Sequence, residues 1–158
     1  MAEGYLKQYA AENEGRFPFH TNGYGDAVLL IPDVWLECFS GAGYDTQAWI
    51  QAQRTGSDVP EDQCGRVYVQ GLSLTNDPEI ILLFDKIPTA GDHRHFFSRI
   101  WAPPVREVVK IKGAEIIPES EWLDVTKRQI ELLVVAGISR EQAVAYYTVK
   151  QIGSERVD

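Results

Sequence analysis

The sequence predicts an α+β domain: an N-terminal helix packed on a three- to four-stranded antiparallel sheet, followed by a C-terminal helical hairpin. Three observations carry this. Apolar residues recur at helical spacing over residues 3–13, β-type runs cluster between 66 and 117, and two helical patterns follow Ser120. Strands grouped together, with helices before and after them, argue against alternating βαβ units. One domain accounts for residues 1–158: helix over 1–15, irregular chain with short helices over 16–64, an antiparallel meander over 65–118, and the hairpin over 119–151.

In the first helix Tyr5, Leu6, Tyr9 and Ala10 form the apolar stripe, opposite Lys7, Gln8, Glu12 and Asn13. Gly15 ends it and Pro18 prevents its return. Three turns are too few to be stable alone, so this helix must pack on something. Over 16–64 the pattern gives a short helix from Asp26 to Ile31, a loop at Phe39–Gly43, and a helix from Thr46 to about Arg54. The strands read as Arg66–Gln70, Glu79–Phe84, Val105–Lys112 and Ala114–Ile117, with a turn at Thr75–Pro78. The unbroken apolar run in the second suits a strand covered on both faces and central in its sheet. Ser120 is expected to cap a helix running to about Val135 and ending at Gly137. Ser139 is expected to cap another, with Gln142 in the capping-box position, running to about Lys150.

Composition sets limits on function. A net charge of -8 repels phosphate polyanions, and the best basic cluster, Arg106 with Lys110 and Lys112, is too small to reverse that. No nucleic-acid partner is expected. Arg140 and Gln142 suit a DNA-reading helix, but Glu141 opposes them and Ala143, Val144, Tyr146 and Tyr147 read as packing. No apolar run reaches the roughly 18 residues of a membrane helix, so the chain as it stands is expected to be soluble. Cys38 and Cys64 allow one disulfide, worth about 3 kcal/mol in the chain-entropy model, or two reduced thiols, depending on compartment.

The sharpest polar cluster is Asp92, His93 and His95, following Gly91. Two histidines at i and i+2 beside a carboxylate are candidate zinc ligands or a candidate general base, and a third ligand would have to come from Asp85, Cys64 or His20. The opposing account is a polar loop held by its own hydrogen bonds. Asp85, at the end of the central strand, either serves a site or pairs with Lys86 or Arg94. Ser40 lacks a nucleophile elbow and Gly41–Gly43 lacks a dinucleotide loop, so neither a catalytic residue nor a cofactor is expected. Trp101, in the stiff Ile100–Pro104 segment, is a candidate for partner contact, as are Tyr5 and Tyr9 on the first helix.

Two stretches carry a family resemblance. Leu6–Tyr9 followed by Glu12–Pro18 resembles the exit of the long N-terminal helix in type IV pilin-like and type II secretion pseudopilin-like proteins. Val67–Leu72, Asn76–Pro78, Leu82–Asp85 and Gly91–His93 resemble the globular head of the prepilin-type subfamily with a His-X9-Asp-Gly motif. The apolar half of the pilin helix is absent, and the Asp-Gly-His turn is replaced by Lys110–Ala114, where Gly113 alone survives. The resemblance implies a non-enzymatic structural subunit that self-assembles or binds other proteins. Such a subunit would lie in the cell envelope or periplasm if a native anchor had been removed, and in the cytoplasm otherwise. The rival readings are a small metal-dependent enzyme centred on Asp92, His93 and His95, and a cytoplasmic adaptor using its aromatic loop and C-terminal helices.

Overall fold

The computed structural model describes residues 2–19, 66–90 and 103–148. Helix α1 (Ala2–Glu12) buries Ala2, Tyr5, Leu6 and Ala10 along one stripe and turns Gly4, Lys7, Gln8 and Ala11 outward. Its end is a left-handed stop. Glu14 and Gly15 have φ of 56° and 79°, and the Gly15 N–H donates to Ala10 O at 2.8 Å. The chain then runs beside residues 72–74, with Phe17 N donating to Leu72 O and Leu74 N donating to Gly15 O. At the other end of α1, Glu3 accepts from the Ala114 N–H and Lys7 donates to Lys112 O. The helix is therefore fastened at both ends to the sheet it covers.

The strands are β1 (Arg66–Tyr68), β2 (Ile81–Asp85), β3 (Thr89–Ala90), β4 (Pro104–Lys110) and β5 (Ala114–Pro118). β1, β2, β4 and β5 form the expected antiparallel meander, and the two-residue β3 pairs with the start of β4. Pro104 opens β4, a place where a strand tolerates a residue without an N–H. Cross-strand partners share a face, so contacts at one residue assign its neighbours. Phe84, paired with Val67 and Val108, stacks on Tyr147 at 4.9 Å and tilts against Trp122 at 5.2 Å. That face meets the C-terminal helices. Leu83 pairs with Tyr68, whose hydroxyl donates to Pro18 O at 2.7 Å, so the alternate face meets the N-terminal segment. All five residues of β2 are buried, as its unbroken apolar run requires.

β2 begins at Ile81, two residues later than its apolar pattern suggests. Its register against β4 shifts between Ile81 and Leu83, and a side chain takes over the backbone pairing there. Gln129, 3% exposed, accepts from the Ile81 N–H and donates to Glu79 O, both at 2.9 Å. The preceding turn is closed by Asn76 accepting from Ser73 N and Asp77 accepting from Glu79 N.

A single 3-10 turn (Glu119–Glu121) leads into α2 (Trp122–Val135). Ser120 does not cap α2: Glu121 holds the cap position and makes no capping bond through its side chain. The turn intervenes because Glu119 is drawn inward by Arg106. α2 ends at Gly137 (φ 96°), with Ile138 N donating to Leu133 O. Ser139 caps α3 (Arg140–Tyr147) by accepting from Gln142 N at 3.2 Å. The Gln142 side chain donates to the Tyr146 hydroxyl. Leu133 and Ala143 complete the core against the sheet.

Two stability measurements check this account. Gln129→Ala leaves a buried N–H and a buried carbonyl unpaired and should cost about 2–3 kcal/mol in urea unfolding. Glu14→Gly relieves a left-handed residue and should gain about 0.5 kcal/mol, the strain released exceeding the added chain entropy.

Candidate functional site

The site develops around Arg106, which shares the helix-facing side of the sheet with its cross-strand partner Ile117 and with Val108. Its side chain is 3% exposed. Nη1 donates to Asp85 O at 2.8 Å and Lys86 O at 2.6 Å, holding the end of β2. Nε and Nη2 donate to the two Glu119 carboxylate oxygens at 2.6 and 2.9 Å. The guanidinium also lies 4.8 Å from the Trp122 ring centroid. These bonds use both Nη1 hydrogens, the Nε hydrogen and one of the Nη2 pair, which is how a buried cation offsets its lost hydration.

On the opposite face of the sheet Asp85 forms a second ionic group. Arg66 Nε donates to it at 2.7 Å, the Glu107 N–H at 3.3 Å, and Arg66 also reaches the Glu107 carboxylate. Asp85 thus pairs across the strands with Arg66, not with its sequence neighbour Lys86; Arg94 lies outside the described residues. Burial pushes the Asp85 carboxyl above its ordinary value against the pull of Arg66. The basic cluster read from the sequence is neutralised in place. Arg106 pairs with Glu119, Lys110 with Glu79 and Glu115, and Lys112 with Glu79.

Beside Arg106, between the sheet and the C-terminal helices, is a hollow of about 280 Å³. Among the described residues its floor and walls are Val67, Phe84, Trp122, Tyr146 and Tyr147, with Lys86, Arg106, Glu119, Leu123 and Thr126 also in the lining. Phe84 and Tyr147 stack face to face with 4° between their planes, and Trp122 tilts against both. Most polar groups here are satisfied: Thr126 donates to Trp122 O, and the Tyr146 hydroxyl accepts from Gln70 N and Gln142. The Tyr147 hydroxyl is different. It is buried with no hydrogen-bond partner among the described residues, and burial raises its pKa so that it stays a neutral phenol. A second depression, about 380 Å³, lies between Tyr9, Glu12, Arg16, Phe17 and Phe19 at the end of α1.

The candidates named from sequence divide sharply. Asp92, His93, His95 and Trp101 lie outside the described residues, as do Cys38, Cys64, His20 and the short helices expected over 26–31 and 46–54. Tyr5 is buried in the core, where burial pushes it up to about 12. Tyr9, 6.1 Å from it ring to ring, is half-buried and borders the second depression. Among the described residues no group of three or more His, Cys, Asp or Glu side chains is placed to hold a metal ion. No helix among them is long and apolar enough to cross a membrane. Sequence reasoning named Arg106 only as one member of a basic cluster, not as a buried cation, and missed Glu119 and the Phe84–Trp122–Tyr147 cluster. The available signal was that Arg106 stands in phase with Val108, which places an arginine on an inward face.

Two tests follow from the charges. Arg106→Met strands the carbonyls of Asp85 and Lys86 and should cost about 3 kcal/mol, with Arg106→Lys restoring less than half because an ammonium lacks the fork geometry. Glu3 is held below the ordinary glutamate value of 4.5 by Lys7 and the Ala114 N–H, and Glu79 by Lys112 and Lys110. Both therefore contribute stability that is present above that value and lost as pH falls through their lowered pKa values. Asp85, raised above 3.8, works in the opposite sense, since the native state gains stability as it takes up the proton. Urea unfolding from pH 6 to about pH 3 should show a net loss, and the Glu3→Gln/Glu79→Gln double variant should flatten it.

Comparison with protein-family models, with curated proteins and with solved structures finds no match.

Proposed function

We propose that this chain is a non-enzymatic structural or assembly subunit, similar to the head of a pilin- or pseudopilin-like protein, and that it acts through protein–protein contact. The observation that carries the reading is the seat of α1. Leu6 and Ala10 are buried in the same core as Tyr68, Leu83 and Val109, which the strand pairing puts together on the sheet face that meets the N-terminal segment, and the helix is fastened to the β4–β5 turn at one end and to residues 72–74 at the other. A helix secured along an antiparallel meander is the arrangement that the resemblance implies, and its outer face (Gly4, Lys7, Gln8 and Ala11) is left for neighbours.

The charge distribution supports the same reading. The buried ionic groups, Arg66 with Asp85 and Arg106 with Glu119, bind strands and turns to one another. With Lys110 and Lys112 also paired and the net charge at -8, nucleic acid is a poor partner and other protein chains a better one. Residence in the cell envelope goes with this reading if an apolar segment precedes the helix in the native protein.

Site-specific photo-cross-linking in the source cells tests it. A benzoylphenylalanine in place of Ala11 should give adducts between copies of this chain or with a fixed set of envelope proteins. The same group at Asp124, exposed on α2, should give markedly fewer. Equal, weak labelling from both positions would refute assembly through α1.

A further inference from the structure

We propose that the aromatic hollow between the sheet and the C-terminal helices is a binding site for a small neutral ligand: a flat apolar body carrying a carbonyl oxygen that accepts from the Tyr147 hydroxyl. Two independent observations lead there. The first is the hollow itself, about 280 Å³, walled by Phe84, Trp122 and Tyr147 over Val67. Rings in stacked and tilted contact present flat faces and edges that suit a planar guest.

The second is the Tyr147 hydroxyl, which among the described residues is the one buried side-chain polar atom without a hydrogen-bond partner. Folding strips this group of water and returns nothing for it, a cost that native structures rarely leave standing. A phenol kept neutral by burial is a donor in search of an acceptor. Arg106 is already paired with Glu119, whose side chain is 28% exposed and lies in the same lining, so a guest carboxylate placed beside Glu119 would meet repulsion. A carbonyl or amide oxygen meets none. Tyr147 belongs to the lining while its hydroxyl is closed off from solvent, so a guest reaches the hydroxyl only when the lining rearranges. Leu123, 66% exposed, is the most exposed of the described lining residues.

The test compares 3-phenylpropionamide with 3-phenylpropionate on the intact chain, by chemical-shift mapping up to about 10 mM, the range in which fragments of this size bind. The amide should shift the signals of Phe84, Trp122 and Tyr147, and should bind severalfold more tightly than the acid. Tyr147→Phe should keep or raise Tm, because it deletes an unsatisfied hydroxyl, and should weaken amide binding about tenfold. No binding of the amide to the wild-type chain would overturn the proposal. So would equal binding by Tyr147→Phe, or a high-resolution structure with an ordered water alone on the hydroxyl. None of these outcomes bears on assembly through α1.

Discussion

The guanidinium of Arg106 is the interaction on which the other parts converge. It grips the carbonyls that end β2, holds the carboxylate of the turn before α2, and lies over the first residue of that helix. Sheet, turn and helix thus meet at one buried cation. Taking an ion out of water costs several kcal/mol, and a bidentate carboxylate with two carbonyls is what makes the burial tolerable. The arrangement also explains the entry into α2. Glu119 has to reach inward, so the chain makes one 3-10 turn and the helix starts at Trp122 without a side-chain cap.

A second constraint is the pairing of backbone groups around a strand buried on both faces. β2 shifts register against β4, and that would orphan groups at its start. The amide of Gln129, supplied from α2, takes the place of a neighbouring strand for Ile81 and Glu79. The same helix therefore serves the sheet at both ends of β2, through Gln129 at the beginning and through the Trp122–Phe84 contact near the end. On the other face α1 closes the layer through Glu3, Lys7 and the extended residues after Gly15.

What was legible in the sequence was periodicity and its punctuation. The stripe of α1, the stop at Gly15, the meander, the burial of its second strand on both faces, and the Gly137 and Ser139 boundaries all follow from spacing and local chemistry. What was not legible depended on which distant groups meet. Ser120 fits a cap by local rule and loses the position to the pull of Arg106 on Glu119. Glu79 and Ile80 fit a strand by composition, but a glutamine 50 residues away holds Glu79. Asp85 looks available for chemistry until Arg66 comes beside it across the strands. Tyr146 and Tyr147 read as packing; the structure adds that Tyr146 is hydrogen-bonded and the hydroxyl of Tyr147 is not. The histidine-rich stretch and the two cysteines fall outside the described residues, so they enter neither the fold account nor the site.

The hollow owes its shape to the Arg106 junction, since Trp122 is held under the guanidinium and Phe84 lies on the strand whose end Arg106 grips. The most direct test of that junction is hydrogen exchange at the Arg106 Nε–H, followed by NMR with the exposed Arg128 as an internal reference. The account predicts a resolved Arg106 signal, protected by orders of magnitude and lost only with global unfolding. Exchange as fast as that of Arg128 would contradict it.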